Sequence, residues 1–127
     1  APLRATSRTR SRSEARKAEC GTKMEVGDWV QAGNAVDGAA LGVNTTALGM
    51  QGKAAFRVPL DGLNAKTVVS DLVYTPLETD LIKIARDRGC RVVDGLGMLL
   101  HQAVPGFERW FGERPPIDED TRQIMLR

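Results

Sequence analysis

The chain has 127 residues, of which 42% are hydrophobic and 27% are charged, with a formal net charge of +2. This composition fits one globular domain rather than a disordered chain, and so small a net charge creates no bulk field toward nucleic acid or a membrane. Cys20 and Cys90 are far apart in the sequence, and the chain has a single histidine, so we expect neither a disulfide framework nor a metal site, and a reducing cytoplasm fits. No apolar run is long enough to span a bilayer, so we expect no membrane partner.

The chain begins with an alternating segment, residues 1–7, that predicts a short strand. Ser11 and Glu14 form a capping-box pattern, which predicts a helix from about Arg12 to Cys20, ending near Gly21. Residues 23–38 show little periodicity and receive no assignment.

Basic residues crowd the first seventeen positions, and two interpretations stay open from the residues alone. They could form a solvated arm that attracts nucleic acid weakly, although no aromatic platform accompanies them. Alternatively, they could bind the 2′-phosphate of an adenosine ribose, because the second strand of a dinucleotide-binding fold ends at that ribose. The residues are Arg4, Arg8, Arg10, Arg12, Arg16 and Lys17.

Two further strands are predicted, over Ala39–Val43 and Thr67–Tyr74. The first is followed by a polar loop, residues 44–50, which is either a plain turn or a ligand loop, since ligands meet parallel sheets at the carboxyl ends of strands. Residues 51–66 are expected to connect the two strands. Tyr74, at the end of the second strand, could offer its hydroxyl to a ligand or simply pack as an aromatic residue.

The segment after Tyr74 predicts a β-α-β unit. Thr75, Pro76 and Glu78 resemble a cap, a first-turn proline and a capping-box glutamate, so a helix is expected to begin there and to end at Gly89. A short strand, residues 91–93, follows. One face of the helix is expected to carry Leu77, Leu81, Ile84, Ala85 and Arg88.

A longer helix is predicted from Asp94, its cap, to Gly112, with a kink or break at Pro105. One stripe of this helix is expected to pack on the core, and a neighbouring flank with Gly95, Met98 and Gln102 could face a ligand. His101 is interpreted as a surface residue. A last helix over residues 119–126, capped by Asp118, is expected to anchor through its apolar end. The stripe contains Leu96, Leu99, Leu100, Ala103, Phe107, Trp110 and Phe111, and the anchors are Ile124, Met125 and Leu126.

Three motifs in order, VNTTALGM, SDLVYTPLET and VDGLGMLLHQA, resemble the cofactor-binding half of shikimate dehydrogenase, and the likeness runs from about Arg4 to the carboxyl terminus. The segment Ser7–Arg12 is similar to the family's Asn-Arg-Thr-x-x-Arg motif, with Ser7 in place of the asparagine. The resemblance implies an enzyme that reduces 3-dehydroshikimate reversibly to shikimate with NADPH. Its fold would be α/β, a partial Rossmann-type parallel sheet with carboxy-terminal helices.

The resemblance also implies roles for single residues. Tyr74 and Gln102 would bind the substrate, and Asn44 would hold the shape of the polar loop. The cofactor NADP would contact Ser7, Arg8, Thr9, Arg12, Thr45, Thr46, Ala47, Leu48, Leu72, Gly95 and Met98.

Against this family, the first strand and its GxGxxG turn have no counterpart in the chain, so a gap is expected in the middle of the sheet. The lysine and aspartate of the substrate domain are missing as well, so no catalytic residue is assigned. Residues 1–112 would be an incomplete NADP-binding domain, and residues 113–127 would pack on the absent substrate domain. We therefore expect part of a longer polypeptide that does not catalyse alone.

Other functions remain open at this stage. A non-catalytic dinucleotide-binding module would use the arginines and the Thr46 loop but neither Tyr74 nor Gln102. A quinate/shikimate dehydrogenase would share the whole arrangement. A homodimer is possible, and no nucleic acid is expected as a partner.

Overall fold

The computed structural model describes residues 2–127 as strands and helices in alternation. Short 3₁₀ turns join some of them, and the turn after α1 leads directly into β2. The elements are β1 Leu3–Ser7, α1 Arg10–Cys20, β2 Met24–Asp28, α2 Ala32–Ala35, β3 Leu41–Asn44, β4 Val68–Asp71, α3 Asp80–Asp87, β5 Arg91–Val93, α4 Gly95–Phe111 and α5 Glu119–Met125.

All of these strands pair in parallel, but they form two sheets instead of one. β1 pairs with β2, and β3, β4 and β5 form a second sheet with β4 at its centre. The predicted α/β fold with an interrupted parallel sheet is confirmed, and the interruption falls between β1 and β3. The unassigned segment 23–38 supplies β2 and α2.

The hydrophobic core lies between the second sheet, α3 and the long connection from β3 to β4. Val69 is 2% exposed and Ala85 is fully buried, which brings the centre of β4 against α3. Leu60 and Leu63 close the cluster from the connection. This core fixes the carboxyl ends of β3 and β4 relative to each other.

Two predicted helix starts are wrong. α1 begins at Arg10 after Thr9, so Ser11 lies inside the first turn and the capping box does not form. α3 begins at Asp80, because its cap is Thr79, whose hydroxyl accepts a hydrogen bond from the backbone N–H of Ile82. The Thr75–Pro76 peptide bond before it is cis. The predicted ends at Gly21 and Gly89 are confirmed.

The helix α4 departs from its prediction in two ways. Its cap, Asp94, and its end at Gly112, which has a left-handed conformation, agree with the sequence prediction. The first difference is that the helix continues through Pro105 without a break. Its buried face is Leu96, Leu100 and Val104. The aromatic end of the predicted stripe does not pack on this core: Trp110 is 79% exposed. The anchors expected on α5 are exposed too, so an apolar surface extends over Phe107, Trp110, Phe111, Ile124, Met125 and Leu126.

No helix in the described part of the chain is both long and apolar enough to cross a membrane. Within the same residues, no cluster of three His, Cys, Asp or Glu side chains is arranged to hold a metal ion.

Candidate functional site

The carboxyl ends of the parallel strands form the candidate site. A buried carboxylate, Asp71, lies at the end of β4 and organises the loops around it. Its Oδ1 accepts hydrogen bonds from Nδ2 of Asn44 at 3.0 Å and from the backbone N–H of Val73 at 3.0 Å. Its Oδ2 accepts one from the hydroxyl of Thr79 at 2.6 Å. Asp71 therefore ties together the ends of β3 and β4 and the start of α3.

Asn44 connects Asp71 to the polar loop after β3. Its Oδ1 accepts hydrogen bonds from the backbone N–H of Thr46 at 3.0 Å and from the Thr46 hydroxyl at 2.8 Å. That hydroxyl accepts a further bond from the N–H of Leu48 at 3.1 Å, and Leu48 is buried beneath the loop. Thr45 and Ala47 are exposed. Asn44 holds the shape of the loop as predicted, and the outer side of the loop remains open to a ligand.

The end of β4 borders a shallow recess. Tyr74 is 42% exposed and lines this recess with Met50, Gln51 and Thr75. The N–H of Gln51 donates to the carbonyl of Thr75 at 2.9 Å, which fastens the two loops together. The sequence interpretation had placed Gln51 in a connecting loop, and no local pattern marks it as part of the site.

Gly95 begins α4 directly against the end of β4. A Cβ atom at this position would lie 2.5 Å from the carbonyl oxygen of Val73 and 2.6 Å from that of Leu72. Only glycine allows the helix to start so close to the strand. The half-buried Leu72 and Met98 lie on the two elements that meet here, so the predicted contacts Leu72, Gly95 and Met98 fall in one region.

Gly95→Ala is expected to lower the free energy of unfolding by about 2 kcal/mol, because the methyl group would push α4 away from the β4 backbone. Gly97→Ala is the matched control, since its Cβ would meet nothing within 4 Å in the same helix. It should stabilise the chain by about 0.5–1 kcal/mol. Urea unfolding of both variants tests the close approach, and equal effects would contradict it.

An ion pair fixes the other side of the α4 start. Nη2 of Arg122, on α5, donates to Oδ2 of Asp94 at 2.5 Å, and the two side chains are 28% and 25% exposed. Oδ1 of Asp94 accepts the N–H of Leu96 at 3.1 Å as the helix cap. Partial burial opposes ionisation of Asp94, but Arg122 and the nearby N–H groups outweigh it and lower its pKa below 3.8.

Arg122→Gln is therefore expected to reduce the free energy of unfolding at pH 7 by about 1–2 kcal/mol, between the values for surface and buried pairs. The lowered pKa means that ionised Asp94 contributes stability above its unfolded value of 3.8 and loses it as the pH falls through the folded pKa. The difference between the two proteins should shrink below about pH 4. Arg16→Gln, which breaks an exposed pair with Glu19, is the control and should change stability by less than about 0.5 kcal/mol. A difference for Arg122→Gln that stays constant down to pH 2 would contradict this role.

The basic amino-terminal segment divides into paired and unpaired arginines. Arg4, Arg10 and Arg16 form ion pairs with Glu25, with Asp28 and Glu14, and with Glu19, respectively. Among residues 2–127, no salt bridge involves Arg8 or Arg12, and both are exposed.

Arg8 and Arg12 lie at the junction of β1 and α1, where the first helical turn carries no acidic residue. The hydroxyl of Ser7 accepts a hydrogen bond from the N–H of Thr9 at 3.1 Å, so this pair shapes the junction. Two free guanidinium groups beside the positive end of a helix form a suitable site for a phosphate.

The predicted residues are brought together in part. The predicted Thr45 and Thr46, after β3, line one cavity with Thr6 of β1, which the sequence does not single out. Leu72 and Gly95 are in contact range through the β4 backbone. The cavity lining does not include Ser7, Arg8, Thr9 or Arg12. Gln102 is exposed on α4, and within the described residues it forms no hydrogen bond with Tyr74. The two residues predicted to bind substrate are therefore not hydrogen-bonded to each other.

Comparison with known proteins gives consistent matches. A family model described as the shikimate 5′-dehydrogenase C-terminal domain matches residues 95–125. A shikimate dehydrogenase (NADP(+)) from Cereibacter sphaeroides (strain ATCC 17025) is 60% identical over 124 residues, which is 98% of this chain and 44% of that protein. The chain thus spans less than half the length of the curated relatives that it matches.

Solved structures agree with the fold. A quinate dehydrogenase from Corynebacterium glutamicum in complex with NAD superposes with a TM-score of 0.85 at 29% identity, covering 98% of this chain and 46% of that one. A shikimate 5-dehydrogenase from Thermus thermophilus in complex with NADP(H) and shikimate gives 0.73 at 30% identity, covering 89% and 41%.

Proposed function

We propose that this chain, which corresponds in sequence and fold to the carboxy-terminal portion of shikimate dehydrogenases, supplies the NADP-binding part of such an enzyme. The observation that carries the proposal is the pair of arginines without a salt bridge, Arg8 and Arg12, which follow Thr6 at the end of β1. Thr6 lines one cavity with Thr46 of the ordered loop. A dinucleotide without the 2′-phosphate would leave both guanidinium groups without a partner.

The donor set fits NADP. Arg8 and Arg12, with the hydroxyl groups of Ser7 and Thr9, would hold the 2′-phosphate at the amino end of α1. The loop Thr45–Leu48 would border the middle of the cofactor, and Leu72, Gly95 and Met98 would contact the nicotinamide end. When bound, NADPH supplies a hydride to the carbonyl carbon of 3-dehydroshikimate, and a proton reaches the carbonyl oxygen.

The residues of this chain would position the substrate and keep water away from it. The Tyr74 hydroxyl and the Gln102 amide would be the polar groups beside the nicotinamide, and each would donate or accept one hydrogen bond with the substrate ring. The lysine and aspartate expected to handle the proton have no counterpart in this chain, so the chain by itself should not turn over.

The exposed apolar surface of α4 and α5 supports a second domain as its cover. Trp110 is 79% exposed and Ile124 is 65% exposed. Several large apolar side chains exposed on two adjacent helices indicate an interaction surface, whereas single exposed apolar residues do not. We place the substrate domain on this surface, which is the role expected for residues 113–127. The cysteines Cys20 and Cys90 are both free, which suits the cytoplasm, and a homodimer remains a prediction.

A hybrid enzyme tests the proposal. In this hybrid, the present chain replaces the matched 124 residues of the Cereibacter sphaeroides relative. We expect it to oxidise NADPH when 3-dehydroshikimate is added, followed at the nicotinamide absorbance. Tyr74→Phe and Gln102→Ala should each raise the KM for 3-dehydroshikimate about tenfold, since each removes one hydrogen bond, and leave the KM for NADPH unchanged.

His101→Gln is the matched control, because His101 is the exposed neighbour of Gln102 and should have no effect on either KM. A folded hybrid that binds NADPH without turnover would favour the non-catalytic module. Oxidation of quinate with NAD⁺ in preference to oxidation of shikimate with NADP⁺ would favour a quinate dehydrogenase.

A further inference from the structure

A tight turn after the Thr46 loop holds Gln51 in a defined place. The N–H of Lys53 donates a hydrogen bond to the carbonyl of Met50 at 3.0 Å, which closes the turn. Its third residue, Gly52, has a φ of 75°. A type II turn requires a positive φ at this position, and glycine adopts it without strain. Gln51 is the second residue of the turn and is exposed.

A second contact fixes this turn to the end of β4. The N–H of Gln51 donates to the carbonyl of Thr75 at 2.9 Å, and the N–H of Gly49 donates to the carbonyl of Ala54 at 2.8 Å. The backbone of Gln51 is therefore held from two sides. Within residues 2–127 the side-chain amide of Gln51 forms no hydrogen bond, so it is available to a ligand.

The recess that Gln51 shares with Tyr74 is electrically neutral. It has a volume of about 320 Å³, enough for part of a small ring, and its lining residues are Met50, Gln51, Tyr74 and Thr75. None of these four side chains is charged at neutral pH. A carboxylate or phosphate placed there would therefore lack a cation. A hydroxyl group suits the recess better, because an amide and a phenol can both donate to it and accept from it.

The recess also lies next to the proposed nicotinamide region. Tyr74 follows Val73, whose carbonyl oxygen would lie 2.5 Å from a Cβ atom at Gly95, the first residue of α4. A group held between Gln51 and Tyr74 is thus close in the chain to the place where Leu72 and Gly95 meet. This is where a substrate must lie to receive a hydride.

We propose that Gln51 is a further substrate-binding residue, whose amide, together with the Tyr74 hydroxyl, binds one of the unreactive ring hydroxyl groups of 3-dehydroshikimate. The substrate carboxylate binds outside this recess. The inference rests on the proposed function and adds to it which part of the substrate this chain recognises.

The first test is Gln51→Ala in the hybrid enzyme. The KM for 3-dehydroshikimate should rise about tenfold, since one hydrogen bond is lost, and the KM for NADPH should not change. Gln31→Ala is the matched control, because Gln31 is an exposed glutamine that lines a different cavity. It should leave both KM values unchanged. Circular dichroism checks that both variants fold.

The second test identifies the bound group. Two shikimate analogues, each lacking one of the two hydroxyl groups that do not react, are used as inhibitors of shikimate oxidation by NADP⁺. Gln51→Ala should raise the inhibition constant of one analogue about tenfold. For the analogue that lacks the bound hydroxyl, the constant should change by less than about twofold, because the hydrogen bond is already absent.

The possible outcomes separate this inference from the function on which it rests. If Tyr74→Phe raises the KM for 3-dehydroshikimate and Gln51→Ala does not, the inference is wrong and the proposed function stands. A tenfold effect of Gln51→Ala on both analogues would exclude a hydroxyl group as the occupant. A raised KM for NADPH would assign the recess to the nicotinamide amide instead. A folded hybrid without turnover would overturn the proposed function and this inference together.

Discussion

Asp71→Ala is expected to lower the free energy of unfolding by about 4 kcal/mol. The carboxylate is fully buried and accepts hydrogen bonds from Asn44, Val73 and Thr79. Hydrogen bonds to a charged group contribute about 1.5–3 kcal/mol each, and the substitution leaves three donors buried without an acceptor. Urea unfolding at pH 7 measures the loss.

Two controls distinguish this network from simple loss of charge. Asp71→Asn keeps an acceptor for Asn44 and Val73 and gives up only the bond to Thr79, so it should cost about half as much. Asp87→Ala removes an exposed carboxylate from α3 and should change stability by less than about 0.5 kcal/mol. Equal effects of the two alanine substitutions would show that Asp71 does not organise the site.

Replacing both Arg8 and Arg12 by alanine in the hybrid enzyme should weaken NADPH binding by more than about 100-fold, because two charge-assisted hydrogen bonds to the 2′-phosphate are lost. NADH lacks this phosphate, so its binding should change by less than about threefold. Isothermal titration with both dinucleotides gives the ratio.

Arg10→Ala with Arg16→Ala is the matched control, since it removes the same charge from the same amino-terminal segment. Both of these arginines are already paired with acids, so the preference for NADPH should survive. An equal loss in the two double variants would indicate a diffuse electrostatic effect and would contradict a phosphate site at Arg8 and Arg12.

The sequence predicts most elements of this fold because their signals are local. Asp94 and Asp118 cap α4 and α5 as expected. The strands at residues 41–44, 68–71 and 91–93 coincide with apolar segments of the sequence. The capping pattern at Thr75–Glu78 fails because Thr79, three residues before Ile82, provides the cap and also reaches the buried Asp71. That choice depends on a contact eight residues away, which periodicity does not reveal.

The exposed aromatic end of α4 could not be predicted from its pattern. An apolar stripe shows that a face is covered by something, but not that the cover belongs to the same chain. Trp110 and Phe111 are exposed, although the sequence predicts that their stripe packs on the core.

The candidate site was only partly visible in the sequence. Arg8 and Arg12 were found through a family motif, and the residues alone could not separate them from Arg10, whose ion pairs appear only in the fold. The sequence pattern presents Asp71 only as a polar residue within a predicted strand. A carboxylate at the end of an apolar run is the signal that could have identified it.

We propose that the ends of β1, β3 and β4 and the start of α4 form one groove for NADPH. Hydrogen–deuterium exchange of the hybrid enzyme with and without NADPH tests it most directly. We expect segments 8–12, 45–48, 72–74 and 95–98 to gain protection together at the same NADPH concentration. Of these four segments, 8–12 should gain the least protection from NADH. Protection confined to one of these segments, or an identical response to NADPH and NADH, would contradict it.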